Sequence, residues 1–337
     1  MTEFCNNTAE APDAKQPETL HGWDVGWANQ EDEKELLDLF FAAFGHTMPV
    51  EQWRWKYHNS EPIGSYVREK RCPVAFYGGM PRGIRLLGER GTAVQIGDVM
   101  VEPRQRRAFT RHGAFFRAAS AFAEGLIGPD KQYLCAYGFP SERHYRLGEH
   151  LGLYIRIGEL LEAAWPPLPS RLALNVTVSP LQPSQLELLP QLWQSMAEDL
   201  IDKVVLERNN AYIQHRFLQH PTVDYMLLLV KQRFTGKPLG LLILRDHGSE
   251  GVELIDIVAS LKQMPSLIST AQRVTGKLKR HRLFSWLTSS VADALQDTNP
   301  QLEDLNVPLG TISWQQKDYL LHTRDQWWLI GGDADSR

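Results

Sequence analysis

The chain has 337 residues, enough for two domains that each bury a core, with 36 Lys and Arg against 40 Asp and Glu. A formal net charge of -4 gives no overall basic footprint for nucleic acid, and no apolar run is long enough to span a bilayer. Three cysteines, Cys5, Cys72 and Cys135, are odd in number and unpaired in spacing, which points to a reducing cytoplasm rather than a disulfide framework.

Residues 1–20 are polar and read as a disordered lead, without a charged-then-apolar export signal. A strand follows near Trp23–Trp27, then a helix with Leu36, Leu37, Phe40, Phe41 and Phe44 on one face, closed by Gly45. Glu51-Gln52-Trp53-Arg54-Trp55-Lys56-Tyr57 is an aromatic helical segment, and strands are predicted near Ser65–Glu69, Pro73–Tyr77, Ile84–Leu87 and Thr92–Val101. In the last of these, Val99 and Val101 alternate with Asp98 and Met100. The strand stops at Pro103, runs through an arginine-rich turn, and opens a helix predicted over Thr110–Leu126. A strand end, cationic side chains and the N–H groups of a helix start together suit a pyrophosphate. The alternative reading is a surface helix with solvated arginines. A strand at Tyr133–Tyr137, a helix at Arg143–Leu151 and a strand at Tyr154–Leu160 close the first half; Trp165-Pro166-Pro167-Leu168-Pro169 opens a linker over 166–173.

The second half repeats this order. A strand at Asn175–Val178, a helix at Ser184–Leu200 and the segment Ala211–Phe217 precede a hairpin of Tyr225–Lys231 with Leu239–Arg245. Then come Val252–Val258, a helix at Ser266–Leu278 and a strand at Leu283–Leu287. Aligned on the strands, Asp256 falls opposite Asp98, the mark of a degenerate duplication. Ser260-Leu261-Lys262-Gln263-Met264-Pro265 has no arginine cluster, so the second copy is expected to lack the anion site.

Val101-Glu102-Pro103-Arg104-Gln105-Arg106 resembles the central motif of the GNAT superfamily of acyl-CoA-dependent N-acyltransferases. Leu134–His144, Glu149–Leu153 and the Trp-Arg-Trp-Lys-Tyr element resemble a bacterial branch with tandem GNAT domains. The resemblance implies an α/β fold of two tandem GNAT-like domains, each a twisted mixed sheet flanked by helices, at 21–165 and 174–331. It implies acetyl-CoA or another acyl-CoA as co-substrate, no metal, and transfer to a primary amine of a small molecule or sugar. Arg107-Ala108-Phe109-Thr110-Arg111-His112 stands where the family places two glycines, and the first glycine is Gly113. By position, Met100 and Val101 offer backbone donors to the thioester, while Arg106, Arg107, Phe109, Thr110, Arg111, His112 and Gly113 would meet the phosphates. Ser141 stands where many members carry an asparagine beside the pantetheine arm.

Direct acyl transfer also needs a base for the ammonium and an acid for the leaving thiolate. Asp98, on a partly desolvated strand, is the candidate base; the alternative is an acid that fixes the strand. The position of the family's tyrosine falls on Gly148, so His144 and Tyr145, one turn earlier, are the candidate acids. Trp53, Trp55 and Tyr57 either line the acceptor pocket or pack. A P-loop is excluded because Ala271 precedes Gly276-Lys277, and no Gly-x-Ser-x-Gly or His-Glu-x-x-His occurs. Beside the acetyltransferase reading stand a binding scaffold on a decayed fold and an aminoacyl or longer-acyl transferase. The acceptor and the oligomeric state stay open.

Overall fold

The computed structural model describes residues 22–107, 110–170, 175–313 and 320–334, with only the backbone of Arg107. The chain forms two compact units, one holding 22–80 and 96–127, the other 81–95 and the described residues from 128 onward.

The first unit begins with β1 (Trp23–Ala28), α1 (Glu33–Phe44) and α2 (Val50–Lys56), followed by β2 (Gly64–Glu69). It takes residues 72–80 of β3 (Cys72–Leu86) and 96–101 of β4 (Glu89–Val101), and ends with α3 (Ala114–Leu126). Asn29 and Asp32 form a reciprocal capping box before α1, and Gly45 closes that helix at φ +79°. β1 and β2 are antiparallel from Trp23↔Glu69 to Ala28↔Gly64, and β2 pairs antiparallel with β3. Leu36, Phe40, Trp53, Tyr57, Phe76, Met80 and Met100 form one buried cluster. On α3, Phe116, Ala119 and Phe122 are buried, and Gly125 makes room for the Trp27 indole, which a Cβ there would meet at 2.4 Å.

The second unit contains β5 (Cys135–Tyr137), α4 (Glu142–His150), β6 (Tyr154–Trp165), β7 (Val176–Pro180), α5 (Leu189–Asp199), β8 (Val204–Leu206) and α6 (Asn210–Ile213). It continues with β9 (Met226–Gln232), β10 (Pro238–Asp246), β11 (Val252–Val258), α7 (Met264–Lys277), β12 (Leu283–Thr288), α8 (Ser289–Ala294), β13 (Gln301–Ile312) and β14 (Trp327–Trp328). Seven strands form a mixed sheet in the order β13-β6-β12-β11-β10-β9-β7. Within this unit, β5 runs parallel to β4 from Ala93↔Cys135 to Gln95↔Tyr137, and β8 pairs with Ile84–Leu86 of β3.

The expected mixed α/β architecture is present. The compact units, however, do not divide at 166–173. β6, expected to close the first half, lies inside the seven-stranded sheet between β13 and β12, paired with β12 from Leu160↔Thr288 to Trp165↔Leu283. The proline-rich stretch after it is pinned along α7, where Leu168 N–H donates to the Gln272 carbonyl at 3.1 Å and Gln272 Nε2 donates to the Pro166 carbonyl at 2.9 Å.

Candidate functional site

In the first unit, β4 breaks its alternation at Asp98, whose φ is +48°, a left-handed conformation that aspartate tolerates better than most residues. Beyond it Met100 is fully buried while Val99 and Val101 are half-buried. Glu102 N–H still bonds the Val74 carbonyl at 2.8 Å, and Pro103–Arg107 then forms one short 3-10 turn. Gly113, the N-cap of α3, is buried with no side-chain capping bond, and its N–H donates to the Thr110 carbonyl at 2.9 Å. The Thr110 hydroxyl accepts the His112 N–H at 3.3 Å, and Arg111 and His112 are exposed beside this helix start. A 13-residue helix with no side chain capping its first turn presents N–H groups that favour an anion.

Arg106 is exposed but bonds backbone carbonyls. Its Nε donates to the Val101 carbonyl at 3.0 Å, and its terminal nitrogen donates to the Ala43 carbonyl near the end of α1. It ties α1 to the end of β4, which accounts for the arginine without a ligand. Phe109 and the Arg107 side chain lie outside the described residues.

Asp98 is clasped from α2. Lys56 Nζ lies 2.7 Å from one carboxylate oxygen and 2.8 Å from the other, and the Tyr57 hydroxyl donates at 2.9 Å. The side chains are nearly sealed, at 4% exposure for Lys56 and 9% for Asp98. Space for this contact depends on Gly78, where a Cβ would sit 2.3 Å from the Tyr57 hydroxyl and 2.7 Å from the Gly97 carbonyl. Both carboxylate oxygens are thus engaged by an ammonium and a phenol from α2 and its C-cap, an arrangement that suits an acid anchoring the strand. Lys56 went unnoticed in sequence because it sits among aromatics that look like a packing stripe. Trp53 and Tyr57 are themselves fully buried, with ring centroids 4.5 Å apart, and pack rather than face an acceptor. Trp55 is half-buried.

The second unit holds the other candidates. Ser141 is the N-cap of α4, its hydroxyl accepting the His144 N–H at 3.4 Å and lying 3.2 Å from His144 Nδ1. His144 is exposed. Tyr145 is buried and donates to Glu149 at 2.9 Å. Burial, with Glu149 adding to it, pushes the Tyr145 phenol up to about 12, which makes it a weaker acid than an ordinary tyrosine. Gly148 has no room for a side chain, since a Cβ there would lie 2.0 Å from the Tyr154 ring.

Asp256, the repeat partner of Asp98, is also tied to a cation. Arg208 Nε donates to Asp256 at 3.2 Å and its terminal nitrogen to Asp333 at 2.7 Å, with all three side chains at 0% exposure. Arg82 approaches Asp333 at 3.5 Å and lies over the Tyr212 ring, 4.6 Å from its centroid. Burial pushes the Asp256 carboxyl up to about 6, Arg208 opposing and Asp333 adding to the shift. No group of histidine, cysteine and acidic residues suited to a metal occurs among the described residues, and none of their helices is long and apolar enough to cross a membrane.

Similarity in three dimensions covers most of the chain. It superposes on a probable N-acyltransferase of Enterococcus faecalis V583 with a TM-score of 0.67 at 14% identity, covering 89% of this chain and 75% of that one. A GCN5-related N-acetyltransferase from Kribbella flavida gives 0.63 at 13%, covering 90% and 73%. Saccharomyces cerevisiae N-myristoyltransferase with bound myristoyl-CoA gives 0.58 at 11%, covering 88% and 84%. No protein-family model and no curated protein matches the sequence. The chain therefore has the GCN5-related N-acetyltransferase fold, in the tandem form that N-myristoyltransferase shares.

Proposed function

We propose that this protein is an acyl-CoA-dependent N-acyltransferase acting on a primary amine. The observation that carries the reading is the end of β4, broken at Asp98 and followed by the uncapped start of α3 beside Arg111. Backbone donors at Met100 and Val101 would polarise the thioester, and the α3 start with Thr110, Arg111, His112 and Gly113 would hold the phosphates, joined by Arg107. Asp98 holds this strand in place, and the acceptor amine loses its proton to water or to a group outside those assigned above. Ser141, His144 and Tyr145 of α4 keep the roles that the resemblance gives them, a polar contact and two candidate acids, of which Tyr145 is buried and His144 exposed. Trp55 is the aromatic left for the acceptor. The small, odd number of cysteines fits a cytoplasmic setting.

Titration calorimetry with acetyl-CoA and desulfo-CoA tests the coenzyme site. Arg107→Ala combined with Arg111→Ala should weaken binding by about 2–4 kcal/mol through lost charge-assisted contacts, whereas Arg106→Ala should lower the melting temperature and leave affinity in place. A wild type that binds neither ligand overturns the reading and leaves a scaffold. Likeness to N-myristoyltransferase across both halves supports a second possibility, an acyl chain longer than acetyl. Thiol release from acetyl-, octanoyl- and myristoyl-CoA with a panel of amines separates the two.

A further inference from the structure

In the second unit the parallel strands β11 and β12 pair only at Val252↔Leu283 and Glu253↔Phe284. Directly after, β11 takes an extra residue: Leu254 faces Leu244 of β10 and Asp256 faces Ile243, leaving Ile255 as a bulge. From there β12 bonds a different partner. Leu287 bridges Ile330, Thr288 N–H donates to the Leu329 carbonyl at 3.0 Å, and Leu329 N–H donates to the Thr288 hydroxyl at 3.2 Å.

The segment that takes the place of β11 continues against the bulge. A Cβ on Gly332 would lie 3.1 Å from the Ile255 carbonyl oxygen and 3.1 Å from the Phe217 ring, and one on Gly331 would lie 3.4 Å from the Glu253 carboxylate. A side chain at Gly332 would thus be tight against the bulge, whereas one at Gly331 would begin at ordinary contact distance. Its carbonyls are held as well, Gly332 by the Tyr212 hydroxyl at 3.1 Å and Arg216 Nε at 3.1 Å, Ala334 by Arg216 at 2.9 Å. Asp333 folds back to accept the Ile330 N–H at 2.9 Å and meets Arg208. At the turn following β11, a carboxylate of the chain is already bound: Asp199 accepts the Leu261 N–H at 2.8 Å.

We infer that the gap between β11 and β12 is a cleft for an extended, amide-bearing chain and that it is kept closed by this protein's own segment Leu329–Ala334, with Asp199 as the resident anion at the adjoining turn. Strand addition to the edge of β12 supplies the affinity, Gly332 supplies the fit, and Arg208 and Arg216 read the carboxylate and carbonyls. The ligand class is thus a peptide of the form Leu-Ile-Gly-Gly-Asp, and its usual source is internal. This inference does not depend on acyl transfer.

Residue-resolved hydrogen exchange on the full chain tests it. In the wild type, the Leu329 and Ile330 amides should be protected together with that of Thr288. Exchange at the rate of an exposed loop overturns the inference. Gly332→Val forces a side chain onto the Ile255 carbonyl and should speed exchange at these amides by at least about tenfold, and Asp333→Asn is the milder variant that keeps the backbone fit. A synthetic peptide of residues 326–337, added in trans to either variant, should restore protection at the Thr288 amide, which bonds the Leu329 carbonyl. Failure of the peptide to bind a folded variant with a loosened segment shows a segment merely packed in place, and overturns the cleft.

Discussion

Asp98 and Asp256, which a sequence alignment of the two halves sets opposite each other, are each a carboxylate held by a cation from another element. Lys56 and Tyr57 hold the first, Arg208 the second. Removing one member of such a pair strands the other charge, whereas replacing both by apolar groups of similar size costs far less. Asp98→Asn should therefore destabilise the protein by about 3–5 kcal/mol, and adding Lys56→Met should recover much of it. Chemical denaturation of the single and double variants measures the coupling; turnover per folded molecule should stay near the wild-type value. Lost turnover at unchanged stability restores Asp98 as the base. At the second position the test is pH. The Asp256 carboxyl titrates higher in the folded chain, about 6, than its ordinary 3.8. Its contribution is fully present below the lower value and is lost as pH rises through the upper one. Stability should fall across that window, and Asp256→Asn should flatten the fall.

Most elements were legible in the sequence because their periodicity matches their burial. The helix over Leu36–Phe44 is present, but its buried side is Leu36, Leu39 and Phe40 while Phe41 and Phe44 are exposed, and the alternation leading into Val101 is interrupted at Asp98. The misreadings cluster where tertiary contacts override local signals. Gly78, Gly79 and Pro81 read as a break between two strands, yet β3 is one strand of 15 residues. Gly78 belongs there because the Tyr57 hydroxyl and Gly97 carbonyl leave no space for a Cβ. Gly78→Ala should cost about 1–3 kcal/mol by overpacking and displace Tyr57 from Asp98, which thermal melts and tyrosine fluorescence would report. A melting curve unchanged by this substitution contradicts the described contact. The sequence predicts α3 from Thr110; Gly113 and the Thr110 turn delay it to Ala114. For the candidate site, the strand–turn–helix could be read from residue types. The bond from Arg106 to the Ala43 carbonyl, and Lys56 as the partner of Asp98, could not, since both depend on elements more than forty residues away in sequence.

At the scale of the whole chain, the repeat raises the question of how many coenzymes it takes. Each half carries a strand broken near an aspartate and followed by a helix. In the first, the helix start is uncapped and flanked by Arg111. In the second, Asp199 already accepts an N–H at the turn, residues 329–334 bond along β12, and Gly332 presses on the Ile255 bulge. A phosphate brought there would meet a resident carboxylate, and an incoming arm would have to displace bonded backbone; both oppose binding. Calorimetric titration of the full chain with coenzyme A should give one site per chain, and the Arg107→Ala, Arg111→Ala pair should weaken that one. Two sites in the wild type would show that the second half opens to ligand unaided. In the Gly332→Val variant, a second, weak site appearing beside the first would show that the segment alone had blocked it. A count that stays at one assigns the block to the turn, where Asp199→Asn is the next substitution to titrate.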